Sequence, residues 1–235
     1  MEITLTPFLR GKVLIVQPRR GYRFSLDAVL LASYVEGEGF GLELGAGFGP
    51  VALMLKSRLE GVKILALDIL ADYLRLLKES LRINGFSGIY PVAGDVKTPP
   101  LRAKFDFVFS NPPYLKPERF RVSPRRDLAV SKWELKARVE DFLRAAFLLL
   151  KEKGRAFFVM GAGAGNFEKK AEECGFYPEE RVEVFDEEDL KFLLFSLRKS
   201  WTEKRNFSFL MKKGGKYTPQ MEEVLGGGSL RPYLR

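Results

Sequence analysis

The sequence predicts an α/β protein built on a doubly wound, mostly parallel seven-stranded sheet with one antiparallel strand near the C-terminus. Three observations carry this. Short apolar runs alternate with amphipathic stretches over residues 40–160, as in buried parallel strands covered by helices. A glycine-rich turn follows the first run, and an Asn-Pro-Pro-Tyr turn follows the fourth. Both turns therefore fall at the carboxyl edge of one sheet, where doubly wound folds bind ligands.

The elements follow in order. Phe40-Gly-Leu-Glu-Leu44 reads as a strand and 50–59 as a helix, with a second buried strand over 62–67. Over 71–83, Leu74, Leu77 and Leu81 recur at helical spacing, and Asn84-Gly85 stops the helix. Residues 88–92 and 105–110 are the third and fourth strands. A long helix over 134–151 is expected to feed a fifth strand, 155–160, across a turn at Lys153-Gly154. A helix over 167–174 ends at Gly175, and strands over 181–185 and 191–197 have no helix between them, which predicts an antiparallel pair. The tail carries a strand over 206–211 and a Gly-rich stretch at 226–229, and is expected to fold over the core or to be partly mobile. The expected organisation is a basic substrate-binding or lid segment (1–36), a catalytic core (37–199) and a basic C-terminal extension packed on the core (200–235).

Composition narrows the chemistry. The chain has 235 residues, 46% of them hydrophobic, enough for one core. There is no histidine and one cysteine, Cys174, which excludes an internal disulfide, Ser-His and Cys-His catalysis, and zinc sites built on several thiolates or imidazoles. No metal is expected. Basic residues outnumber acidic ones 39 to 30, for a net charge of +9, which favours a polyanionic partner. The start lacks a secretory pattern, and the longest apolar stretch, 145–150, is far too short for a membrane span. A cytoplasmic protein with no membrane partner is expected, and the abundance of Lys, Arg and Glu over Asn and Gln suits a thermophile.

The first motif is Glu43-Leu-Gly45-Ala-Gly47-Phe-Gly49-Pro50, at a strand-to-helix turn. Its spacing, G-x-G-x-G behind an acid, departs from the G-x-G-x-x-G dinucleotide fingerprint. Asp68 ends the next strand, where a carboxylate can accept hydrogen bonds from ribose hydroxyls. Taken alone, this pattern fits NAD, S-adenosylmethionine or a bare tight turn. Asp95, in Ala93-Gly94-Asp95-Val96, either reads an adenine edge or caps a turn.

The second motif is Asp106-Phe-Val-Phe-Ser110-Asn111-Pro112-Pro113-Tyr114. Adjacent prolines stiffen the turn and leave its carbonyls free as acceptors. The Asn111 amide oxygen and the Pro112 carbonyl can both accept hydrogens from one –NH₂ group. An aromatic amine is a poor nucleophile because its lone pair is delocalised. Two fixed acceptors favour its pyramidal transition state and aim the lone pair. Tyr114 offers a face for a flipped base, and no imidazole is required.

On these residues, 13–199 resemble the class I S-adenosylmethionine-dependent methyltransferases that modify amino nitrogens, with a Rossmann-like fold and an Asn-Pro-Pro-Tyr hallmark. The nearest likeness is to the valine-tRNA (adenine-N6)-methyltransferase family. Tyr22-Arg-Phe-Ser-Leu-Asp27 is similar to a segment that usually reads Gly-Thr-Asp, so only Asp27 matches there, and residues 217–225 are also similar. The resemblance implies S-adenosylmethionine as cofactor, S-adenosylhomocysteine as product and a cofactor site at Glu43, Gly45, Ala46, Gly47, Gly49, Asp68, Ile69, Asp95, Val96 and Asn111. It places the target base at Asn111, Pro112, Pro113 and Tyr114, and implies the N6 amino group of an adenine in RNA, above all tRNA. No protein partner is implied.

Basic residues flank these motifs. Arg19, Arg20 and Arg23 precede the first, and Lys116, Arg119, Arg125 and Arg126 follow the second. These are the expected phosphate contacts. The seven basic residues of the tail, against three acids, are expected to form a solvated surface. The main alternative is glutamine N5-methylation of release factors, but those enzymes carry a helical domain where this chain has about 38 basic-rich residues. A DNA adenine methyltransferase lacks an evident target-recognition domain here. A guanine-modifying relative usually has Phe in place of Tyr114. A non-catalytic RNA-binding protein or a nicotinamide oxidoreductase leaves the intact motifs unexplained.

Overall fold

The structure, a computed structural model, describes residues 2–20, 23–113 and 137–234. In chain order it holds a hairpin, β1 (Ile3–Phe8) and β2 (Val13–Pro18), then α1 (Leu26–Tyr34), β3 (Phe40–Leu44), α2 (Pro50–Arg58) and β4 (Lys63–Asp68). There follow α3 (Ala71–Asn84), β5 (Ile89–Ala93) and β6 (Phe105–Ser110). Further on lie α4 (Val139–Leu149), β7 (Leu150–Gly161), α5 (Phe167–Glu173), β8 (Tyr177–Asp186) and β9 (Asp189–Arg198). The tail adds β10 (Arg205–Lys213), β11 (Lys216–Tyr217) and α6 (Pro219–Leu225).

The main sheet has the order β11-β10-β8-β9-β7-β6-β3-β4-β5. β3 to β7 are parallel, and β9 runs antiparallel between β7 and β8. The seven strands from β8 to β5 in that order are the expected seven-stranded sheet. β10, parallel to β8, and β11 extend the sheet to nine. The chain lays down β3, steps out through β4 to β5, then returns to place β6 on the other side of β3. That reversal opens a crevice at the carboxyl ends of β3 and β6.

Apolar residues on both faces of these strands bury them between two layers. One layer gathers α1, α2, α3, β2 and α6 around Phe107, Phe109 and Phe157. The other packs α4 and α5 against Phe105, Val108 and Phe158. α3 ends as expected, with Gly85 in the left-handed region at φ 65°.

The hairpin belongs to the first layer. β2 pairs with β1 on one side and with α3 side chains on the other. The Leu14 amide donates to Asn84 Oδ1 at 2.8 Å, Asn84 Nδ2 donates back to the Leu14 carbonyl at 2.6 Å, and the Val16 amide donates to Ser80 Oγ at 2.9 Å. These bonds satisfy a strand edge that would otherwise be stranded against a helix. The connecting turn holds two non-glycine residues in the left-handed region, Leu9 (φ 49°) and Arg10 (φ 57°). It docks on the tail: Leu9 is buried, Arg10 pairs with Glu222 at 3.4 Å, and Lys12 donates to the Gly226 carbonyl at 3.1 Å.

Two expectations fail. The helix expected over 134–151 ends at Leu149, and β7 starts at Leu150 with no turn at Lys153-Gly154; residues 134–136 lie outside the described residues. Leu150 pairs with Phe105, and the register then jumps to Arg155 opposite Phe107. The intervening residues bulge around Asp106, which accepts from Lys151 at 2.7 Å. A Cβ on Gly154 would lie 2.7 Å from the Asp106 carbonyl. Strand pairing thus overrides the helix propensity of Lys-Glu-Lys.

The basic residues of the tail are not all solvated either. Lys204 pairs with Glu168 (2.8 Å), Lys212 with Asp186 (3.0 Å), and Arg205 and Arg231 with the buried Glu180. Arg231 also stacks 4.3 Å from the Tyr34 ring, whose hydroxyl donates to Glu180 at 2.9 Å.

Asn84→Ala removes the two hydrogen bonds it makes to Leu14 at the hairpin edge, and one to the Ser80 carbonyl within α3, and is expected to cost about 1–3 kcal/mol. Thermal unfolding reads the loss, and hydrogen exchange reads its place. Unaltered exchange at the Leu14 amide would mean that packing alone holds the hairpin.

Candidate active site

The register of four parallel strands assembles the site. Leu44 pairs with Ser110 and with Leu67, and Asp68 with Ala93. The residues that follow each strand, Gly45, Ile69, Gly94 and Asn111, therefore emerge side by side at one sheet edge. Ser110 Oγ donates to the Leu44 carbonyl at 2.8 Å, fastening the end of β6 to the end of β3.

The turn from β3 into α2 needs its glycines. Gly45, Gly47 and Gly49 have φ of 71°, 57° and 78°, all left-handed. A Cβ at Gly49 would meet Leu77 Cδ1 at 2.3 Å, so this glycine also lets α2 approach α3. At Gly47 the nearest atom would be Tyr73 Cδ2 at 3.9 Å, and here the loop has open space on one side.

Asp68 holds this loop. It is 8% exposed, and its Oδ2 accepts from the Gly47 amide and its Oδ1 from the Leu70 amide, both at 2.7 Å. The amides of Gly45 and Ala46 bond the Leu67 carbonyl at 2.9 and 3.0 Å, and the Gly94 amide bonds the Asp68 carbonyl at 2.9 Å. Burial raises the Asp68 pKa, partly offset by the backbone amides of Leu70, Gly47 and Ile69.

Glu43 lies beneath the loop, 2% exposed, with no hydrogen-bond partner for Oε2. Burial pushes its pKa well above the usual range, the nearby Asp68 carboxylate adds to the rise, and the Ala52 amide partly offsets it. A buried acceptor without a donor beside an open glycine turn fits a ligand that brings hydrogen-bond donors or positive charge. Asp68 suits the same ligand, since each carboxylate oxygen keeps a second lone pair after its backbone bond.

Asp95 follows β5 and bonds the Lys97 amide through Oδ1 at 2.9 Å, and Thr98 N bonds its carbonyl at 3.1 Å. It therefore shapes a turn, and that turn stands at the site edge. Val96 is buried and Ile69 is exposed. Asn111 is half-buried, Pro112 buried and Pro113 exposed. Tyr114, Lys116, Arg119, Arg125 and Arg126 lie outside the described residues.

The N-terminal segment reaches this edge as well. β2 climbs α3 from Asn84 toward Ser80, hence toward the start of α3, and the exposed Arg19 and Arg20 follow it. Arg23, also exposed, lies 3.5 Å from Thr6 Oγ1. Phe24 sits 6.4 Å from Phe48, which sits 5.8 Å from Tyr73. The sequence alone does not reveal this aromatic bridge between the basic segment and the glycine turn, because Phe48 falls between the motif's glycines and Tyr73 reads as an ordinary helix residue. Asp27 is buried at the start of α1, where its Oδ1 accepts from Ser25 Oγ at 2.6 Å and the Ala28 amide at 2.8 Å. Among the described residues, no group of three or more His, Cys, Asp or Glu could hold a metal, and no helix is long and apolar enough to cross a membrane.

A fold with this sheet order, an acid-flanked glycine turn and a rigid Asn-Pro-Pro turn defines a methyltransferase. The methyltransferase small domain family matches residues 26–175, and the chain belongs to that family. A tRNA1(Val) (adenine(37)-N6)-methyltransferase from a Flavobacteriaceae bacterium (strain 3519-10) is 27% identical over 185 residues, 77% of this chain and 78% of that one. A release factor glutamine methyltransferase from Aquifex aeolicus is 29% identical over 107 residues, 45% of this chain and 38% of that one. A solved structure described as a predicted O-methyltransferase from Agrobacterium tumefaciens superposes with a TM-score of 0.63 at 20% identity, over 86% of this chain and 97% of that one. At that identity it shows the shared fold.

Glu43→Gln gives a test of the buried carboxylate in the ligand-free protein. A carboxyl whose folded pKa is raised loses stability as pH climbs from its unfolded value, about 4.3, through the folded one. Glutamine escapes that loss. The variant is expected to be more stable than the parent by about 1–3 kcal/mol at pH 8, with the gap closing toward pH 4. A gap independent of pH would show that Glu43 does not carry a buried charge.

Proposed function

We propose that this methyltransferase acts on the exocyclic N6 amino group of an adenine in RNA, with tRNA as the substrate. The observation that carries the reading is the placement of Asn111-Pro112-Pro113 directly beside the Gly45–Gly49 turn, on strands tied by Ser110 and Leu44. The similarity to a tRNA adenine-N6 methyltransferase over most of both chains supports it. S-adenosylmethionine, when bound, supplies an electrophilic methyl group and leaves as S-adenosylhomocysteine. Glu43, the amides and open face of residues 45–49, Asp68, Ile69, Asp95 and Val96 would hold it.

The roles of the remaining residues follow from their chemistry. The Asn111 amide oxygen and the Pro112 carbonyl accept the two hydrogens of the target –NH₂, drawing its nitrogen toward a pyramidal geometry and directing its lone pair. The partial burial of Asn111 and the burial of Pro112 keep water from competing for those hydrogens. The methylated nitrogen, once positively charged, is acidic enough to lose its proton to water, so no histidine is needed. Tyr114 stacks on the base. Arg19, Arg20, Arg23, Lys116, Arg119, Arg125 and Arg126 bind phosphates, with residues 1–36 serving as the substrate segment. A cytoplasmic setting goes with this substrate.

Incubation with tritiated S-adenosylmethionine and total RNA is expected to place label in N6-methyladenosine of the tRNA fraction. Label in a release factor and none in RNA would replace this reading with glutamine methylation. Asn111→Ala is expected to lower kcat by at least ~100-fold with cofactor affinity preserved. The opposite pattern, lost affinity with intact transfer, would reassign Asn111 to cofactor binding.

A further inference from the structure

We propose that the groove beside the 212–216 turn of the tail is a second RNA-binding site, which takes phosphodiester backbone away from the target base. The inference rests on the RNA substrate proposed above. It begins with strand direction. β10 is parallel to β8, β8 and β7 both run antiparallel to β9, and β7 is parallel to β6. The carboxyl end of β10, at Lys213, therefore lies on the same sheet edge as Asn111. It stands four strands away in the order β10-β8-β9-β7-β6, about 19 Å at ~4.8 Å per strand. That span equals roughly five or six stacked nucleotides at ~3.4 Å each.

Charge at the turn is arranged to face outward. Glu187 accepts from the amides of Gly215 at 2.6 Å and Gly214 at 3.1 Å, which fixes the turn and occupies that acid. Asp186 is occupied by Lys212, whose ammonium also lies 5.4 Å from the Tyr217 ring centroid. Lys213 and Lys216 are exposed and have no ion-pair partner among the described residues. Beside them a cavity of about 520 Å³ runs along β10, lined by Lys213, Tyr217, Tyr233, Ser208, Thr218 and Gln220. Its acid neighbour Glu223 accepts from the Tyr233 hydroxyl. The unpaired Lys213 at the rim, with Lys216 opposite it on the β10–β11 ladder and with aromatic faces and neutral donors inside, suits phosphate and a nucleoside together. An acidic peptide would use the lysines alone.

The test compares full-length protein with the K213A/K216A variant, using unfractionated tRNA as probe across a KCl series. A K63A/K153A variant removes the same charge from exposed lysines at the opposite sheet edge and serves as control. K213A/K216A is expected to raise the Kd about fivefold or more and to flatten the log–log salt slope by about 1 per lysine. KM for tRNA should rise with kcat unchanged, and the control should move neither. An unchanged slope in K213A/K216A, or an equal change in the control, overturns the site and leaves adenine methylation standing. Failure of the parent protein to bind tRNA at all overturns the RNA reading, and this site with it.

Discussion

A single buried carboxylate organises the carboxyl edge of the sheet, where the candidate site lies. Asp68 accepts one backbone amide on each oxygen, from Gly47 and from Leu70, and its carbonyl takes the Gly94 amide. Three separate loops, after β3, β4 and β5, are thereby held in fixed relation. A buried carboxylate is costly unless its oxygens are satisfied, so the loops cannot drift apart without exposing that cost. The same bonds orient the carboxylate before any ligand arrives, which reduces the entropy lost on binding. Glu43 behaves differently. It is more deeply buried, 2% exposed against 8%, and keeps an oxygen without a donor, so burial and the neighbouring Asp68 favour its neutral form.

Away from the site, charge is used for anchoring. Glu180 on β8 receives Arg205 and Arg231 from the tail and the hydroxyl of Tyr34 from α1. Buried ion pairs contribute little net stability against an apolar alternative, yet breaking one by removing a single partner is expensive. This cluster therefore specifies where the tail lies more than it strengthens the whole. The neighbouring Glu179 shows the same logic on the next residue. It lies between Arg155, Arg198 and Ser196, and these partners outweigh burial to keep its pKa low.

How much of this was legible depends on whether a signal was local. The strands around residues 40–110 announce themselves as apolar runs between turn residues, and the two motifs fall where those runs end. Asn84-Gly85 marked the end of α3 because a left-handed glycine is a local requirement. By contrast, Leu150 joins β7 only because Phe105 is there to pair with it, a partner 45 residues away. The β1–β2 hairpin escaped notice because Asn84 and Ser80, which satisfy its edge, are far along the chain. The ion pairs of the tail likewise depend on acids in β8 and α5 that composition cannot match to their partners. At the site, Glu43, Asp68 and Asn111 stood out by motif, whereas the Phe24–Phe48–Tyr73 bridge emerged only from the packing.

The turn between β1 and β2 has one more consequence. Leu9 and Arg10 both adopt the left-handed conformation, which costs an ordinary residue roughly 1–2 kcal/mol. An isolated hairpin would choose glycine or asparagine there. Docking of Leu9 under Gly227 and of Arg10 against Glu222 offsets that cost. The shape of the turn is thus coupled to the seating of α6, so two segments 212 residues apart in sequence share one conformational cost.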